Sequence, residues 1–298
     1  MQTRRHLLLL AALLITSPAA AQDKLKVVAT FSILGDLVKN VGGDRVEVAI
    51  LVGPNGDAHV YSPAPGDAKT LAAAKLVFVN GLGLEGWITR LVKASGTKAP
   101  SVVVSTGIRP RKMKDSHGHS HGHSSDPHAW QSVANTKIYV ANIRDALVKA
   151  DAAGKAIYEA NAAAYLGKLD ALDGEVRAAI TKIPPARRRI ITSHEALGYF
   201  GEAYGVEINA AIGVSTGNEA SARDVARIIA QVKRQSIPAV FMENISDERL
   251  MQQIARETGA KICGTLYSDA LSEPGGPAGS YVDMMRHNAL QLSKALAN

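Results

Sequence analysis

The spacing of apolar residues predicts one long helix near the middle of the chain, over residues 151–183. Its larger apolar side chains recur at intervals of seven, four and three residues, which is the period of one helical face. They are Tyr158, Tyr165, Leu169, Leu172, Val176, Ile180 and Ile183. Asp151 is suited to cap the first turn, and Pro184-Pro185 end the helix. The alternative is two shorter helices, broken at one of the three glycines in this segment.

Short runs rich in β-branched residues lie on both sides of this helix and predict eight strands. Four precede it, at residues 25–31, 46–52, 76–80 and 101–105, and four follow, at 189–192, 207–212, 239–243 and 261–266. Helical patterns such as 33–41 and 223–233 separate most of them, as in parallel sheets covered by helices on both faces. We therefore predict an α/β protein of two lobes, each with a four-stranded mainly parallel sheet, joined by one long rigid helix.

Residues 1–21 have the pattern of a secretory signal peptide. Arg4-Arg5 form its positive region, an apolar run follows, and Ala19-Ala20-Ala21 fit a cleavage site before Gln22. The apolar run is shorter than the roughly 20 residues that a membrane-spanning helix needs, and no cysteine follows it as a site for a lipid anchor. We therefore expect export to the periplasm. The mature chain then divides into an N-terminal lobe (22–150), the linking helix (151–183) and a C-terminal lobe (184–298).

Composition and charge narrow the possible functions. The chain is 46% hydrophobic and 20% charged, as globular proteins are. Loss of the signal removes two arginines and no acids, so the formal net charge falls from +7 to +5. Arg187-Arg188-Arg189 is the only dense basic cluster, so we expect no nucleic-acid partner. Cys263 is the single cysteine and leaves no intramolecular disulfide.

Four residues that can ligate a metal follow predicted strands. His59 follows the second strand, His128 the fourth, His194 the fifth and Asp269 the eighth. Ligands of open parallel sheets bind outside the carboxyl ends of the strands. We therefore expect these side chains to meet in a cleft between the lobes.

Three imidazoles and one carboxylate form a tetrahedral ligand set that suits zinc. Calcium and magnesium would require mainly oxygen ligands. The spacing by itself does not establish a site, because the four residues are scattered over more than two hundred positions. A single histidine in such a loop is more commonly a surface or capping residue. From the residues alone, a metal site and unrelated loop histidines remain open alternatives.

Four further histidines alternate with glycine and serine in a tract that we assign to a loop over residues 115–125. They are His117, His119, His121 and His123. Such a composition cannot pack a core, but imidazoles two residues apart can chelate zinc loosely. We hypothesise that the tract captures zinc and passes it to the cleft. The alternative is an unstructured loop with incidental metal affinity.

Several segments carry motifs that occur together in one family. Residues 53–67 have the sequence GPNGDAHVYSPAPGD, residues 126–130 DPHAW, and residues 193–200 SHEALGYF. Residues 213–221 (GVSTGNEAS), 266–271 (LYSDAL) and 280–288 (SYVDMMRHN) complete the set. Together these resemble the motifs of the ZnuA/TroA-like (cluster A-I) solute-binding proteins of zinc and manganese ABC importers. The resemblance extends over essentially the whole mature chain.

The resemblance implies a fold, a role and a ligand set. The fold is two α/β lobes bridged by one rigid helix. The role is that of a periplasmic protein that captures one Zn(II) ion as transported ligand and delivers it to an ABC permease in the membrane. By similarity, the metal ligands are His59, His128, His194 and Asp269. A periplasmic zinc chaperone is an optional further partner, and a monomer is expected.

Some positions depart from the family pattern or bear on the choice of metal. Ala58 stands where the family has proline, and Ser62 where it has glutamate, so the first loop is expected to be looser. His194 occupies a position where manganese binders of the family carry glutamate, which favours zinc over the alternatives manganese and iron. The ligand spacing and the histidine tract also resemble the AztC-type zinc-binding branch. Glu195 is expected to orient a ligand ring.

A zinc hydrolase is the rival from another functional class. Catalytic zinc sites usually keep three protein ligands and an open position for water. The four expected ligands, and a sequence without an HExxH motif or a nucleophile elbow, argue against it. We therefore expect no enzyme activity and assign no catalytic residue.

Overall fold

The computed structural model describes residues 23–112, 125–217, 220–237 and 239–297. Two expectations fall outside these ranges. One is the signal peptide at residues 1–21. The other is metal capture by the tract histidines, which are His117, His119, His121 and His123.

Strands and helices alternate along the described residues. The strands are β1 (Leu25–Phe31), β2 (Val46–Val52), β3 (Leu76–Val79), β4 (Ser101–Val103), β5 (Arg189–Thr192), β6 (Glu207–Ala210), β7 (Ala239–Glu243) and β8 (Lys261–Leu266). The helices are α1 (Ser32–Gly42), α2 (Pro65–Ala73), α3 (Ile88–Ser95), α4 (Val133–Ala150), α5 (Lys155–Thr181), α6 (Gly198–Tyr204), α7 (Ala222–Gln235), α8 (Glu248–Thr258) and α9 (Tyr281–Leu296). Within this part of the chain, no helix is both long and apolar enough to cross a membrane.

The strands form two four-stranded sheets in which every pairing is parallel. The order is β2-β1-β3-β4 in the first sheet and β6-β5-β7-β8 in the second, so the two sheets repeat one topology. The predicted α/β fold with two sheets is confirmed. Because all strands of a sheet point the same way, the loops that follow them emerge at one edge.

The long helix α5 is present but shorter than predicted. It spans 27 residues, and both Gly167 and Gly174 lie inside it without a break. It does not begin at Asp151, because the Asp151 carboxylate accepts a hydrogen bond from the backbone N–H of Gly154 and closes a separate 3₁₀ turn. The helix ends at Thr181 because the residue before Pro184 is restricted away from helical dihedrals.

The predicted apolar face of α5 is buried along its whole length. Its buried side chains include Tyr158, Tyr165, Leu169, Leu172, Val176 and Ile180. Helix α5 packs against α1, α4 and α9. One hydrophobic core runs from the first sheet past this face to α9 and the second sheet, and a smaller cluster lies between the second sheet and the helices α7 and α8. This continuous packing holds the sheets in a fixed relation, as a rigid linking helix requires.

We predict that Leu169→Ala lowers the free energy of unfolding by about 2–5 kcal/mol, because it leaves a cavity beside packed helices. Leu169 is fully buried, whereas Leu290 on α9 is 50% exposed. Leu290→Ala is therefore the matched control, with a change within about 0.5 kcal/mol. Chemical denaturation of the two variants measures both values. Equal destabilisation would contradict the assignment of α5 to the core.

Candidate metal centre

The structure places the four expected ligands in loops at the carboxyl ends of strands and brings them together. His59 lies between β2 and α2, and His128 lies between β4 and α4. His194 follows β5, and Asp269 follows β8. One ligand atom from each residue lies within 4.8 Å of the ligand atoms of the other three. Each sheet thus contributes two ligands to one point.

The distances within the cluster leave room for a single small cation. Oδ2 of Asp269 lies 3.0 Å from Nε2 of His59, 3.1 Å from Nε2 of His194 and 3.5 Å from Nε2 of His128. The Nε2 atoms of His59 and His128 are 3.1 Å apart. A tetrahedral ion with ligand bonds of about 2.1 Å separates its ligand atoms by about 3.4 Å. These four spacings are close to that geometry, and the remaining ones do not exceed 4.8 Å.

The cluster is shielded from solvent. The side chains of His128, His194 and Asp269 are fully buried, and that of His59 is 4% exposed. Oδ1 of Asp269 is buried without a hydrogen-bond partner among the described residues. A buried carboxylate oxygen in this position is costly unless it is paired, and a bound cation would supply the missing partner.

A carboxylate in each lobe orients one ligand histidine. Oδ1 of Asp126 accepts a hydrogen bond from the backbone N–H of His128 at 3.0 Å and lies 2.8 Å from its Nδ1. Oε1 of Glu243 accepts one from the backbone N–H of His194 at 2.9 Å, and its Oε2 lies 2.8 Å from Nδ1. Because the carboxylates contact Nδ1, Nε2 of each ring faces the cluster. Metal sites commonly hold a histidine in this way, with one ring nitrogen on the metal and the other on a carboxylate.

The role expected of Glu195 stays a prediction. Its carboxylate lies 3.7 Å from the guanidinium of Arg111, while the two ring nitrogens of His194 face Glu243 and Asp269. Glu243 reaches this ring because it ends β7, the strand that pairs with β5. A polar residue at the carboxyl end of a buried strand was the available signal. Asp126, the other orienting residue, was visible as the first letter of DPHAW.

The loop that carries His59 is firmly held, although Ala58 replaces the family's proline. Nε1–H of Trp87 donates a 2.8 Å hydrogen bond to the carbonyl of Ala58. Oδ1 of Asp57 accepts a 2.8 Å bond from the backbone N–H of His59. Oγ1–H of Thr216, from the other lobe, donates a 2.5 Å bond to Oδ2 of Asp57. These bonds connect the loop to both lobes, and the loosening expected from Ala58 and Ser62 stays a prediction.

The charges of the cluster stabilise one another. Burial lowers the pKa of His128, but the attraction of Asp269 and the contact with Asp126 outweigh it and raise the pKa to about 9. Burial likewise opposes the charge on His194, yet Glu243 and Asp269 raise its pKa well above the ordinary value. Burial raises the pKa of Asp269, but the two imidazoles hold it well below the ordinary range. The cluster thus favours bound protons on His128 and His194, and a metal cation would have to displace these protons.

Comparison with known proteins finds metal-binding proteins throughout, although they are named for different metals. The family described as ZnuA, zinc-uptake complex component A, periplasmic, matches residues 27–295. The manganese-binding lipoprotein MntA of Halalkalibacterium halodurans is 38% identical, with 89% of this chain and 86% of that protein covered. The iron-binding protein YfeA of Yersinia pestis is 33% identical, over 95% and 90% of the two chains. The solved structure of the periplasmic zinc binding protein TroA from Treponema pallidum is 31% identical, with a TM-score of 0.86 over 93% of this chain and all of that one.

We predict that chelator-treated protein loses stability as the pH rises from 6.5 to 9. The folded-state pKa of His128, about 9, lies above its ordinary value of 6.5. The stabilisation by its proton is therefore complete below pH 6.5 and lost as the pH rises through about 9. The part of the change linked to His128 is about 3 kcal/mol, His194 adds a change of the same sign, and denaturation at several pH values measures their sum.

The matched variant for this experiment is Asp269→Asn, which removes the main attraction for the His128 proton. Its stability should depend much less on pH over the same interval. Identical pH dependence in the two proteins would show that the Asp269 carboxylate does not hold the proton.

Proposed function

The chain belongs to the ZnuA/TroA family of solute-binding proteins of metal ABC transporters, and on that premise we propose that it binds one Zn(II) ion as its cargo. A member of this family is a substrate-binding protein and not an enzyme. The proposed ligands are Nε2 of three histidines and a carboxylate oxygen, from His59, His128, His194 and Asp269.

One observation carries the proposal: four ligand atoms from both lobes converge within 4.8 Å, in a site that is almost fully buried. Four protein ligands complete a tetrahedral shell and leave no position for a reacting water. This closed shell suits a carrier, which must hold its cargo and release it unchanged.

The donor set favours zinc. Three imidazoles with one carboxylate suit this borderline-soft ion, and zinc binds such sites more tightly than manganese or iron(II). Manganese or iron is the alternative cargo, because relatives are described as manganese-binding and iron-binding proteins. Oδ1 of Asp269, which has no hydrogen-bond partner among the described residues, would serve as a fifth donor for either of these metals.

Family members serve ABC transporters, so we propose that the cargo passes to a membrane permease. We place this step in the periplasm, on the basis of the signal-like residues 1–21. The protein would act as a monomer, and a zinc chaperone is an optional donor of the metal. The continuous packing around α5 resists a wide hinge, so binding and release would involve small movements of the ligand loops.

We predict that the mature chain retains one zinc ion against a competing chelator, and that His59→Ala weakens binding by at least about 100-fold through loss of one of four ligands. His287→Ala is the matched control, since that imidazole lies on α9 with Nε2 3.0 Å from the carbonyl oxygen of Thr265. Native mass spectrometry of the wild type and the two variants, titrated with zinc and then with manganese, measures the number of bound ions and the loss of affinity.

The same titration separates the alternatives. Manganese held as tightly as zinc would favour the alternative cargo, and no retained metal would refute the assigned ligands. Deletion of residues 115–125 should remove only weaker additional ions if the histidine tract captures zinc. An unchanged number of ions after that deletion would refute the capture hypothesis.

We also predict that Glu243→Gln weakens zinc binding by about 10–100-fold, as loss of a group that orients a ligand typically does. The change removes the negative charge beside Nδ1 of His194 and retains the size of the side chain. Glu207→Gln is the control, because Glu207 is an exposed residue in the same lobe, and this variant should bind zinc as the wild type does. Equal affinity of the two variants for zinc would contradict an orienting role of Glu243.

A further inference from the structure

We propose that Arg111 is a positioning residue of the metal centre, which acts through Asp126 on His128, and that Gly198 in the opposite lobe provides the space it occupies. The inference rests on the proposed function, because it concerns the same centre.

A chain of two contacts connects Arg111 to the ligand. The guanidinium NH1 lies 3.1 Å from Oδ2 of Asp126, and Oδ1 of the same carboxylate lies 2.8 Å from Nδ1 of His128. Asp126 and His128 are fully buried, and the side chain of Arg111 is only 13% exposed. The two oxygens of Asp126 are therefore divided between a fixed cation and a ligand imidazole. A carboxylate held on both sides in this way cannot rotate without losing a charge-assisted contact.

Arg111 has a second contact with Asp126, whose backbone N–H donates a 3.0 Å bond to the carbonyl of Arg111, and it also contacts residues of the second lobe. Its Nε donates a 2.8 Å bond to Oε1 of Glu202, and NH1 lies 3.7 Å from Oε1 of Glu195. Its backbone N–H donates a 2.8 Å bond to the hydroxyl of Tyr199, and this hydroxyl donates in turn to the carbonyl of Asp126 at 3.1 Å. All three partners follow His194 closely in the chain. Arg111 therefore links the loop that carries His128 to the segment that follows His194.

Gly198, the first residue of α6, makes this arrangement possible. A Cβ atom at this position would lie 2.5 Å from Cζ of Arg111 and 2.8 Å from Oδ2 of Asp126. Both distances are too short for non-bonded atoms, so the guanidinium packs directly on the glycine backbone. Alanine there would be compatible with the helix but would displace the guanidinium from the Asp126 carboxylate. Glycine is needed here for space and not for an unusual dihedral angle.

The effect on the metal follows from the geometry. Without Arg111, Asp126 keeps the contacts of Oδ1 with the backbone N–H and Nδ1 of His128 but loses the contact that holds Oδ2, so the ring of His128 loses part of what fixes its orientation. Nε2 of His128 would then sample positions away from the ion. Groups that support a metal ligand in this way typically contribute about 10–100-fold to affinity.

The test measures zinc affinity, by competition with a chelator, and the rate of zinc release in full-length mature protein. We expect Arg111→Met and Gly198→Ala each to weaken zinc binding by about tenfold and to accelerate release. Arg109→Met is the control for charge, because Arg109 is an exposed neighbour. Gly167→Ala is the control for the glycine, because it lies within α5 with no atom within 4 Å of an added Cβ. Neither control should change the affinity.

A double variant identifies the route of the effect. If Arg111 acts through Asp126, the variant Arg111→Met/Asp126→Asn binds zinc no more weakly than Asp126→Asn alone. An additional tenfold loss in the double variant would overturn the inference, because Arg111 would then act through Glu195 or Glu202. Unchanged affinity in both Arg111→Met and Gly198→Ala would also overturn it. Wild-type protein that binds no zinc would refute the proposed function itself, which is a different result.

Discussion

The structure depends on one electrostatic constraint: a fully buried carboxylate, Asp269, lies among three imidazoles. Such a charge is stable only where opposite charges surround it. Because the imidazoles come from loops in both lobes, both sheets must present their carboxyl ends to the same point. The parallel pairing of the strands meets this requirement, since it brings the ligand loops of each sheet to one edge.

Hydrogen bonds between the lobes hold the Asp269 loop against the N-terminal half. The indole N–H of Trp130 and the amide of Gln131 both donate to the carbonyl of Ser268, at 2.9 and 2.6 Å. The hydroxyl of Tyr281, on α9, donates to the carbonyl of Trp130 at 2.7 Å. The residues just after His128 are therefore bonded to the residue just before Asp269. These bonds set the position of two ligands from different lobes, and α5 packs against α4 and α9, the helices that adjoin these bonded residues.

The support of the ligands has the same form in both lobes. Asp126 in one lobe and Glu243 in the other contact both the backbone N–H and Nδ1 of a ligand histidine. Each of these ligand histidines is therefore held by a carboxylate of its own lobe. Relatives of this chain are described as manganese-binding, iron-binding and zinc-binding proteins, so the proposal of zinc rests on the donor set of three imidazoles and one carboxylate.

The sequence by itself determined the elements and the identity of the expected ligands. The period of three to four residues in α5 and the β-branched runs of the eight strands are local patterns, and local patterns depend only on which face of an element is buried. The family motifs then pointed to His59, His128, His194 and Asp269. Only the tertiary structure decided how these ligands are supported. Glu243 reaches His194 through strand pairing, and Arg111 reaches Asp126 across a glycine of the other lobe. Contacts between residues far apart in the chain leave no periodic trace in the sequence. A polar residue at the end of β7 marked Glu243 as a candidate, but no local pattern could name the histidine that it contacts.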